Sequence, residues 1–411
     1  MEIDVAVPVI AQRVRARLRA DAVDVAVERD AAGRYVRDEL RRYGEHALGG
    51  DAPIIRDEAE TERAVLAELV GLGALQPLLD DPEVEEVWIN APDRIFAARD
   101  GISAAVPLSL TDAEVRELVE RLLRPTGRRV DLSEPFVDAS LPDGSRLHVA
   151  IPDVARHWSV NLRRFRSGMR DLQQLVRLGM LTAEAAAFLH LSVRAGLSII
   201  VSGGTGAGKT TLMGALLGAV PADQRIVTVE ETFELSLAAP DWVALQGRRP
   251  GLEGTGEIPL RRLVKEALRM RPDRLVVGEV RQGESLDLLL ALNSGHAGMS
   301  SVHANGAPQA LAKLCLLPLL AGSGVDMDFI VPTVATTVEL VVHVARGMDG
   351  ARRVTEIAAP SGRVIDRQIE LVELFAAGHD GTSLRASGQL PPRLEVFERS
   401  GLDPRPLLRA T

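Results

Sequence analysis

Apolar residues recur along this chain with three different spacings, and each spacing predicts a different kind of element. Up to about residue 50 the pattern is helical, with Ile10, Val14 and Leu18 falling every fourth residue and arginines 13, 15, 17 and 19 flanking that stripe. A second helical pattern covers residues 62–79 and is broken by Gly71 and Gly73. Over 84–165 the spacing shortens. Residues 84–89 and 94–97 read as strands joined by a turn at 90–93, residues 137–141 and 146–151 as strands joined at Pro142-Asp143-Gly144, and 160–165 as a last strand. Thr111 and Glu114 form a capping box that opens a helix ending near Arg124. Strands and helices without a regular βαβ rhythm predict a small α+β domain. After Gly168 short continuous apolar runs, at 199–202, 226–230 and 275–278, alternate with helical stretches. Thr182 caps one such helix, which stops at Gly196. That rhythm predicts a parallel, doubly wound α/β sheet carrying its ligand at the carboxyl ends of the strands. Residues 340–344 and 353–357 read as further strands, and 376–411, rich in Gly, Pro, Ser and Arg, as a loosely packed tail.

The first apolar run opens the most informative stretch. Gly203-Gly204-Thr205-Gly206-Ala207-Gly208-Lys209-Thr210-Thr211 follows the strand, and residues 212–220 read as a helix. Gly203, four residues, then Gly208-Lys209-Thr210 is the P-loop pattern in the setting that confirms it. Small residues let successive backbone N–H groups curl around phosphate oxygens at the positive end of a helix. Lys209 is placed to reach the β- and γ-phosphates, and the Thr210 hydroxyl to ligate Mg²⁺. Only three of the 48 basic residues are lysines (Lys209, Lys265 and Lys313), so a chance match is improbable, on the order of one in several hundred. The stretch predicts binding of a nucleoside triphosphate, ATP, with Mg²⁺.

Composition narrows the setting. The 411 residues are long enough for two or three domains. No apolar run reaches the length of a membrane span, and Met1-Glu2-Ile3-Asp4 lacks the layout of a signal peptide. The single cysteine, Cys315, lies in an apolar run and reads as a buried structural thiol. These features predict a cytoplasmic protein. A net charge of −9 and 3% aromatics argue against direct nucleic-acid contact. The early arginines read as a solvated helix face, because Asp21, Asp24, Glu28 and Asp30 follow them; a membrane surface or a partner is the sharper alternative.

Phosphoryl transfer also needs a metal site and a group that activates water. The second apolar run ends in Glu230-Glu231 and the third in Gly278-Glu279, so two strands deliver acids to the edge where phosphates would lie. Adjacent strand residues point to opposite faces, which leaves Glu231 the weaker candidate. A second cluster, Gly295-His296-Ala297-Gly298 and Val302-His303-Ala304-Asn305, carries two histidines seven residues apart. That gap fits neither H-x-x-x-H nor zinc-finger spacing. One or both imidazoles are expected to sense a γ-phosphate or a subunit boundary.

At this point the chain resembles the secretion ATPases of type II and type IV secretion systems and type IV pili. The resemblance is to the CpaF/TadA-type branch that drives Tad (Flp) pilus assembly. It rests on four boxes in order: residues 203–211; Thr228-Val229-Glu230-Glu231-Thr232-Phe233-Glu234-Leu235; residues 269–281, which end in Gly278-Glu279-Val280-Arg281; and the histidine box, 294–305. It extends upstream over 69–100 and 141–165, and downstream over 341–357, with Arg352-Arg353-Val354-Thr355-Glu356-Ile357. The resemblance implies a RecA-like P-loop motor domain, a smaller α+β N-terminal domain, ATP between the two, and a hexameric ring. It further implies that Arg146 and Arg163 bring positive charge to the phosphates, and Arg248 also falls where the family carries an arginine.

The expected organisation is a helical extension over 1–55, an α+β domain over 56–168, the motor domain over 169–375 and a tail over 376–411. The resemblance implies an ATPase that works at the inner face of the membrane with an inner-membrane platform protein. In that reading Glu230 activates water, Glu279 supports metal or water with Thr210, and His303 belongs to the catalytic set. The chain departs from the family pattern at Glu231, where Asp is usual, at Gln282, where Gly is common, and at Ser294 and Ser301, where Thr is usual. None removes a required group, so an active ATPase is expected. Two alternatives stay open: a DNA-transfer or nucleic-acid motor on the same core, and a nucleotide-gated scaffold with little turnover.

Overall fold

A computed structural model of the chain describes residues 6–21, 23, 29–50, 53–69, 72–99, 101–164, 171–250, 255–322, 324–378 and 383–410. The expected strand end at Phe165, the boundary at Gly168 and the helix break at Gly71 lie outside these. The chain divides into two compact units, Met1–Phe165 and Arg166–Thr411.

The first unit opens with α1 (Ala6–Ala20), α2 (Arg29–Leu48) and α3 (Glu58–Leu69). Ile10, Val14 and Leu18 of α1 are buried against Val36, Leu40 and Tyr43 of α2 and Val65 of α3. Three of the arginines beside that stripe, Arg13, Arg15 and Arg17, are paired within the bundle. Arg13 and Arg17 reach the buried Glu39 at 3.5 and 3.4 Å, and Arg15 reaches Glu68 at 3.4 Å.

After α4 (Gln76–Asp80) come β1 (Val84–Ala91), β2 (Arg94–Arg99), β3 (Ile102–Val106), α5 (Asp112–Leu123), β4 (Phe136–Ser140), β5 (Arg146–Ala150) and β6 (Ser159–Arg163). The strands form one antiparallel sheet in the order β3-β2-β1-β6-β5-β4. Thr111 and Glu114 make the expected reciprocal cap on α5. That helix buries Val115, Leu118, Val119 and Leu122 against Val87, Ile89, Leu147, Val149 and Leu162 on one sheet face. The alternate residues, Glu86, Asp138, Arg146, His148, Asn161 and Arg163, line a polar cavity of about 470 Å³ on the other face. Strand β3 has no buried residue, so it carries no alternation and escaped the sequence pattern.

The second unit contains α6 (Leu172–Arg177), α7 (Ala183–Ala195), β7 (Ile199–Gly203), α8 (Lys209–Leu217), β8 (Ile226–Glu230), β9 (Trp242–Gln246), α9 (Leu260–Ala267) and β10 (Arg274–Val277). It continues with α10 (Glu284–Asn293), β11 (Ala297–Val302), α11 (Ala307–Leu320), α12 (Met327–Thr337), β12 (Leu340–Arg346), β13 (Arg352–Ile365), β14 (Gln368–Ala377), β15 (Leu384–Ala386) and α13 (Leu394–Arg399). The sheet order is β15-β14-β13-β12-β7-β11-β10-β8-β9. Strands β12 to β9 in that order run parallel, and β13, β14 and β15 extend the sheet antiparallel. Every residue of β7, β8 and β10 is buried, because helices cover both faces. One core gathers Phe188, Leu212, Leu216 and Phe375; the other gathers Val229, Leu275, Leu289, Leu311 and Val331. Cys315 lies in the second core, where burial pushes its thiol up to about 12.

The stretch after residue 376 is not loosely packed. Strand β15 pairs with β14, the Phe397 ring lies 6.0 Å from that of Phe188, and Phe397 and Leu408 are buried in the first core. Isolated large apolar residues anchor this segment, and its Gly- and Pro-rich composition sets only the turns between them.

Candidate functional site

The carboxyl ends of β7, β8, β10 and β11 lie side by side, and four segments of the sequence converge there. At the end of β7 a Cβ on Gly203 would stand 2.4 Å from the carbonyl oxygen of Val344, so only glycine fits. Gly206 and Gly208 turn the loop with φ of +71° and +100°, the left-handed region that glycine tolerates. Gly204 and Thr205 are exposed at the tip and Ala207 is buried beneath it. Helix α8 begins at Lys209, three residues before its expected start, so Lys209, Thr210 and Thr211 form its first turn. No side chain caps that turn, leaving its N–H groups for an anion.

Lys209 is buried and folds back over the loop. Its Nζ donates to the carbonyl oxygens of Gly203 at 3.2 Å and Gly204 at 3.0 Å, and lies 3.1 Å from His303 Nδ1. An ammonium can only donate, so Nδ1 is the acceptor and the ring proton sits on Nε2. His303 Nε2 lies 2.8 Å from Glu279 Oε1, within ion-pair range but off the line of a hydrogen bond, so that oxygen has no bonded partner. The other Glu279 oxygen accepts from Arg281 Nε at 2.9 Å, and Arg281 Nη1 donates to Glu231 at 3.2 Å. Lys209, His303, Glu279, Arg281 and Glu231 therefore form one polar chain. Burial holds the His303 imidazole below its usual pKa; Lys209, Arg281 and Lys313 push the same way, and Glu279 opposes them.

Glu230 is only 3% exposed and is held differently. Its Oε1 accepts the backbone N–H groups of Glu234 and Leu235, both at 3.0 Å, while Oε2 has no partner. Gly278 makes room for it, since a Cβ there would meet Glu230 Cγ at 3.0 Å. Burial pushes the Glu230 carboxyl up to about 7, against the two amide donors. Thr210 Oγ1 donates to Glu234 Oε2 at 2.9 Å, which ties the P-loop helix to the segment that holds Glu230.

The two histidines part company. His303 follows β11 at the P-loop edge, whereas His296 precedes β11, about 20 Å away by strand rise. His296 Nδ1 lies 3.2 Å from the carbonyl oxygen of Ala291 near the end of α10, so the pair shares no metal. Arg146 and Arg163 face each other across β5 and β6 in the first unit, with Arg146 3.8 Å from Asp138. Arg248 donates from Nε to the carbonyl oxygen of Gly256 at 2.7 Å. Of the departures, Ser301 bonds the carbonyl oxygen of Gly278 at 2.7 Å and braces β11 to the end of β10, while Ser294 bonds Leu290 within α10. Sequence reasoning quoted Glu234 and Arg281 as parts of boxes and gave neither a role. Their spacing from Glu230 and Glu279 was the available signal.

Among the described residues, three buried side-chain atoms lack a partner: Arg274 Nη1, Glu230 Oε2 and Glu279 Oε1. Two of the three are carboxylate oxygens at this edge. Of these, the Glu279 oxygen, with the Thr210 hydroxyl, is the kind of oxygen donor that suits a hard cation such as Mg²⁺. No cluster of three or more His, Cys, Asp or Glu among the described residues could hold a metal alone.

Residues 68–378 match the family model described as Type II/IV secretion system protein. A putative conjugal transfer protein of Mycobacterium tuberculosis is 42% identical over 305 residues, covering 72% of this chain and 86% of that protein. The type IV secretion system protein PtlH of Bordetella pertussis is 32% identical over 315 residues, covering 70% and 93%. The ATPase DotB of Yersinia pseudotuberculosis shares the fold at a TM-score of 0.51 and 16% identity, over 71% of this chain and 79% of that one. The fold is thus that of a RecA-like P-loop domain with a smaller α+β N-terminal domain and a helical extension, and the chain belongs to the Type II/IV secretion system protein family.

Proposed function

We propose that residues 203–211 bind Mg-ATP and that the chain is an ATP-hydrolysing motor of a type II/IV secretion or pilus machine, in the branch that assembles Tad (Flp) pili. The observation that carries this reading is the partition of the acids around the P-loop. Glu230 is buried with one free oxygen, while Glu279 is wired through His303 to Lys209.

Lys209 exchanges its two carbonyl partners for β- and γ-phosphate oxygens, a stronger, charge-assisted pairing. Mg²⁺, when bound, supplies positive charge against the phosphate oxygens; Thr210 and Glu279 are the residues to hold it. Glu230 Oε2 accepts the proton of the attacking water, and a carboxyl near 7 is matched to that task at neutral pH. Moving Lys209 onto phosphate also frees His303 Nδ1, so His303 reports phosphate occupancy to Glu279 and Arg281. Arg146 and Arg163 neutralise phosphate charge, as the family resemblance implies. In the same reading the motor is a cytoplasmic hexamer that works against an inner-membrane platform protein. Among the described residues no helix is long and apolar enough to cross a membrane.

Hydrolysis by the full chain, with and without Mg²⁺, tests the reading. Lys209→Ala and Glu279→Ala are each expected to abolish Mg-dependent turnover with an unchanged far-ultraviolet circular dichroism spectrum. Retained turnover in both sinks the mechanism, and nucleotide binding without turnover in the unsubstituted chain favours a nucleotide-gated scaffold. The conjugal transfer relative gives weight to a second reading, a motor in a DNA-moving machine. Stimulation of hydrolysis by DNA, lost at raised salt, would favour it. The net charge of −9 favours a protein partner instead.

A further inference from the structure

The first residues of β13 touch both loops of the site. Arg352 donates from Nε to the carbonyl oxygen of Gly206 at 3.0 Å, and its Cδ lies 3.4 Å from where a Cβ on Gly208 would stand. Four residues on, Glu356 Oε2 accepts the backbone N–H of Ala307 at 2.8 Å, the first residue of α11. That helix follows the turn carrying His303. Lys313, within α11, donates to the carbonyl oxygen of His303 at 3.0 Å, so the seat of α11 sets the seat of His303.

An uninterrupted strand would aim residues 352, 354 and 356 at one face. Here the pairing with β12 slips. His343 lies opposite Glu356 but Val344 opposite Val354, which leaves Thr355 as the extra residue of a bulge. A bulge re-aims the side chains beyond it. Val354 accordingly packs in the core shared with α8, whereas Ala358, on the same face as Glu356, packs in the core shared with α11. One short segment thus reaches the P-loop from one sheet face and the histidine loop from the other.

We propose that Arg352 and Glu356 are positioning residues of the nucleotide site, Arg352 fixing the P-loop and Glu356 fixing the His303 loop, with the bulge at Thr355 sending one to each. In a trans peptide the oxygen of Gly206 and the N–H of Ala207 point in opposite directions. A guanidinium that holds that oxygen from outside the loop therefore fixes the peptide whose N–H donates across the loop to the carbonyl oxygen of Gly204 at 3.4 Å, and with it the shape of the turn. Glu356 acts on the other half. It seats the start of α11, hence His303, hence the contact from Lys209 to Glu279. The inference rests on the reading that residues 203–211 bind nucleotide.

The two arms predict different kinetic signatures in the full chain. Arg352→Ala should weaken MgADP binding by calorimetry about tenfold, the scale of one charge-assisted hydrogen bond, raise KM for ATP in parallel and leave kcat within about threefold. Arg352→Lys keeps the packed stem and the charge without the Nε donor, and should fall between the two. Glu356→Ala should leave MgADP binding within about twofold and lower kcat about tenfold; Glu356→Gln, which keeps an acceptor oxygen for Ala307, should restore most of it. Wild-type MgADP affinity in Arg352→Ala and Arg352→Lys overturns the brace alone. So does equal damage to kcat and KM in both alanine variants, which marks a general structural loss. Failure of the unsubstituted chain to bind MgADP refutes the nucleotide reading and the brace with it.

Discussion

Replacing Glu230 by glutamine should change how the stability of the chain depends on pH, by an amount the structure sets. Burial lifts its carboxyl from 4.5 to about 7. Because the folded-state value is the higher one, the unfolded chain loses this proton first as pH rises. Between about pH 4.5 and 7 the folded state still carries a proton that the unfolded state has released, so stability falls through that window and levels off above it. Going from 4.5 to about 7 at about 1.36 kcal/mol per pH unit gives a penalty of about 3 kcal/mol, fully present at pH 8 and absent at pH 4. Glutamine does not titrate. Its own costs, including an amide group where Oε2 lacked a partner, are the same at every pH and cancel in the double difference.

The assay is urea unfolding of wild type and Glu230→Gln across pH 4 to 8.5, without Mg²⁺ or nucleotide. Trp242 is a suitable reporter, since its Nε1 donates at 3.1 Å to Thr228, two residues before Glu230 on β8. Trp88→Phe and Trp158→Phe leave it the single tryptophan. Glu230→Gln should gain on wild type by about 3 kcal/mol between the two ends of the range. Parallel pH profiles, within about 1 kcal/mol, would mean that the carboxylate ionises without penalty, and the argument for Glu230 as a proton acceptor tuned to neutrality would fall.

Two further outcomes test parts of the structure that the sequence left unassigned. Glu234→Ala removes the acceptor of the Thr210 hydroxyl and should raise the Mg²⁺ concentration needed for half-maximal hydrolysis while Tm moves by only a few degrees; an unchanged Mg²⁺ requirement removes Glu234 from the metal site. Phe397→Ala empties a fully buried site beside Phe188 and should cost about 3–5 kcal/mol in the Trp242-reported transition, whereas a loss below about 1 kcal/mol would show that the C-terminal segment packs loosely after all.

What could be read in advance follows from what kind of constraint each element obeys. Strands β7, β8 and β10 are buried at every position and punctuated by helices, so their apolar runs stand out without any partner being known. The P-loop is legible because glycine at 206 and 208 answers the positive φ of the turn, and glycine at 203 the close approach of β12. Arg352 and Glu356 meet the site through a bulge, and a bulge shifts the side-chain period without leaving a mark on composition. Glu234 acts from the irregular segment between β8 and β9, where no period exists to place it. Phe397 is one ring in a Gly- and Pro-rich stretch, and only the cavity it fills beside Phe188 explains it.

The two strand-end acids are not interchangeable, and the reason lies in what surrounds each. Glu279 faces two partly exposed groups, Arg281 and His303, that can follow it when a phosphate or cation arrives. Its place in the polar chain makes it a reporter and a ligand. Glu230 has no cation partner; two rigid backbone amides fix one oxygen and burial penalises its charge. A proton acceptor needs that poise. Environments that treat two carboxyls so differently separate their roles. Asp in place of Glu230 would draw the carboxyl back by a methylene from the Glu234 and Leu235 amides, costing turnover more than binding, whereas Asp in place of Glu279 would loosen the link to His303. An equal loss of kcat from both, with nucleotide affinity untouched, would contradict the division of labour.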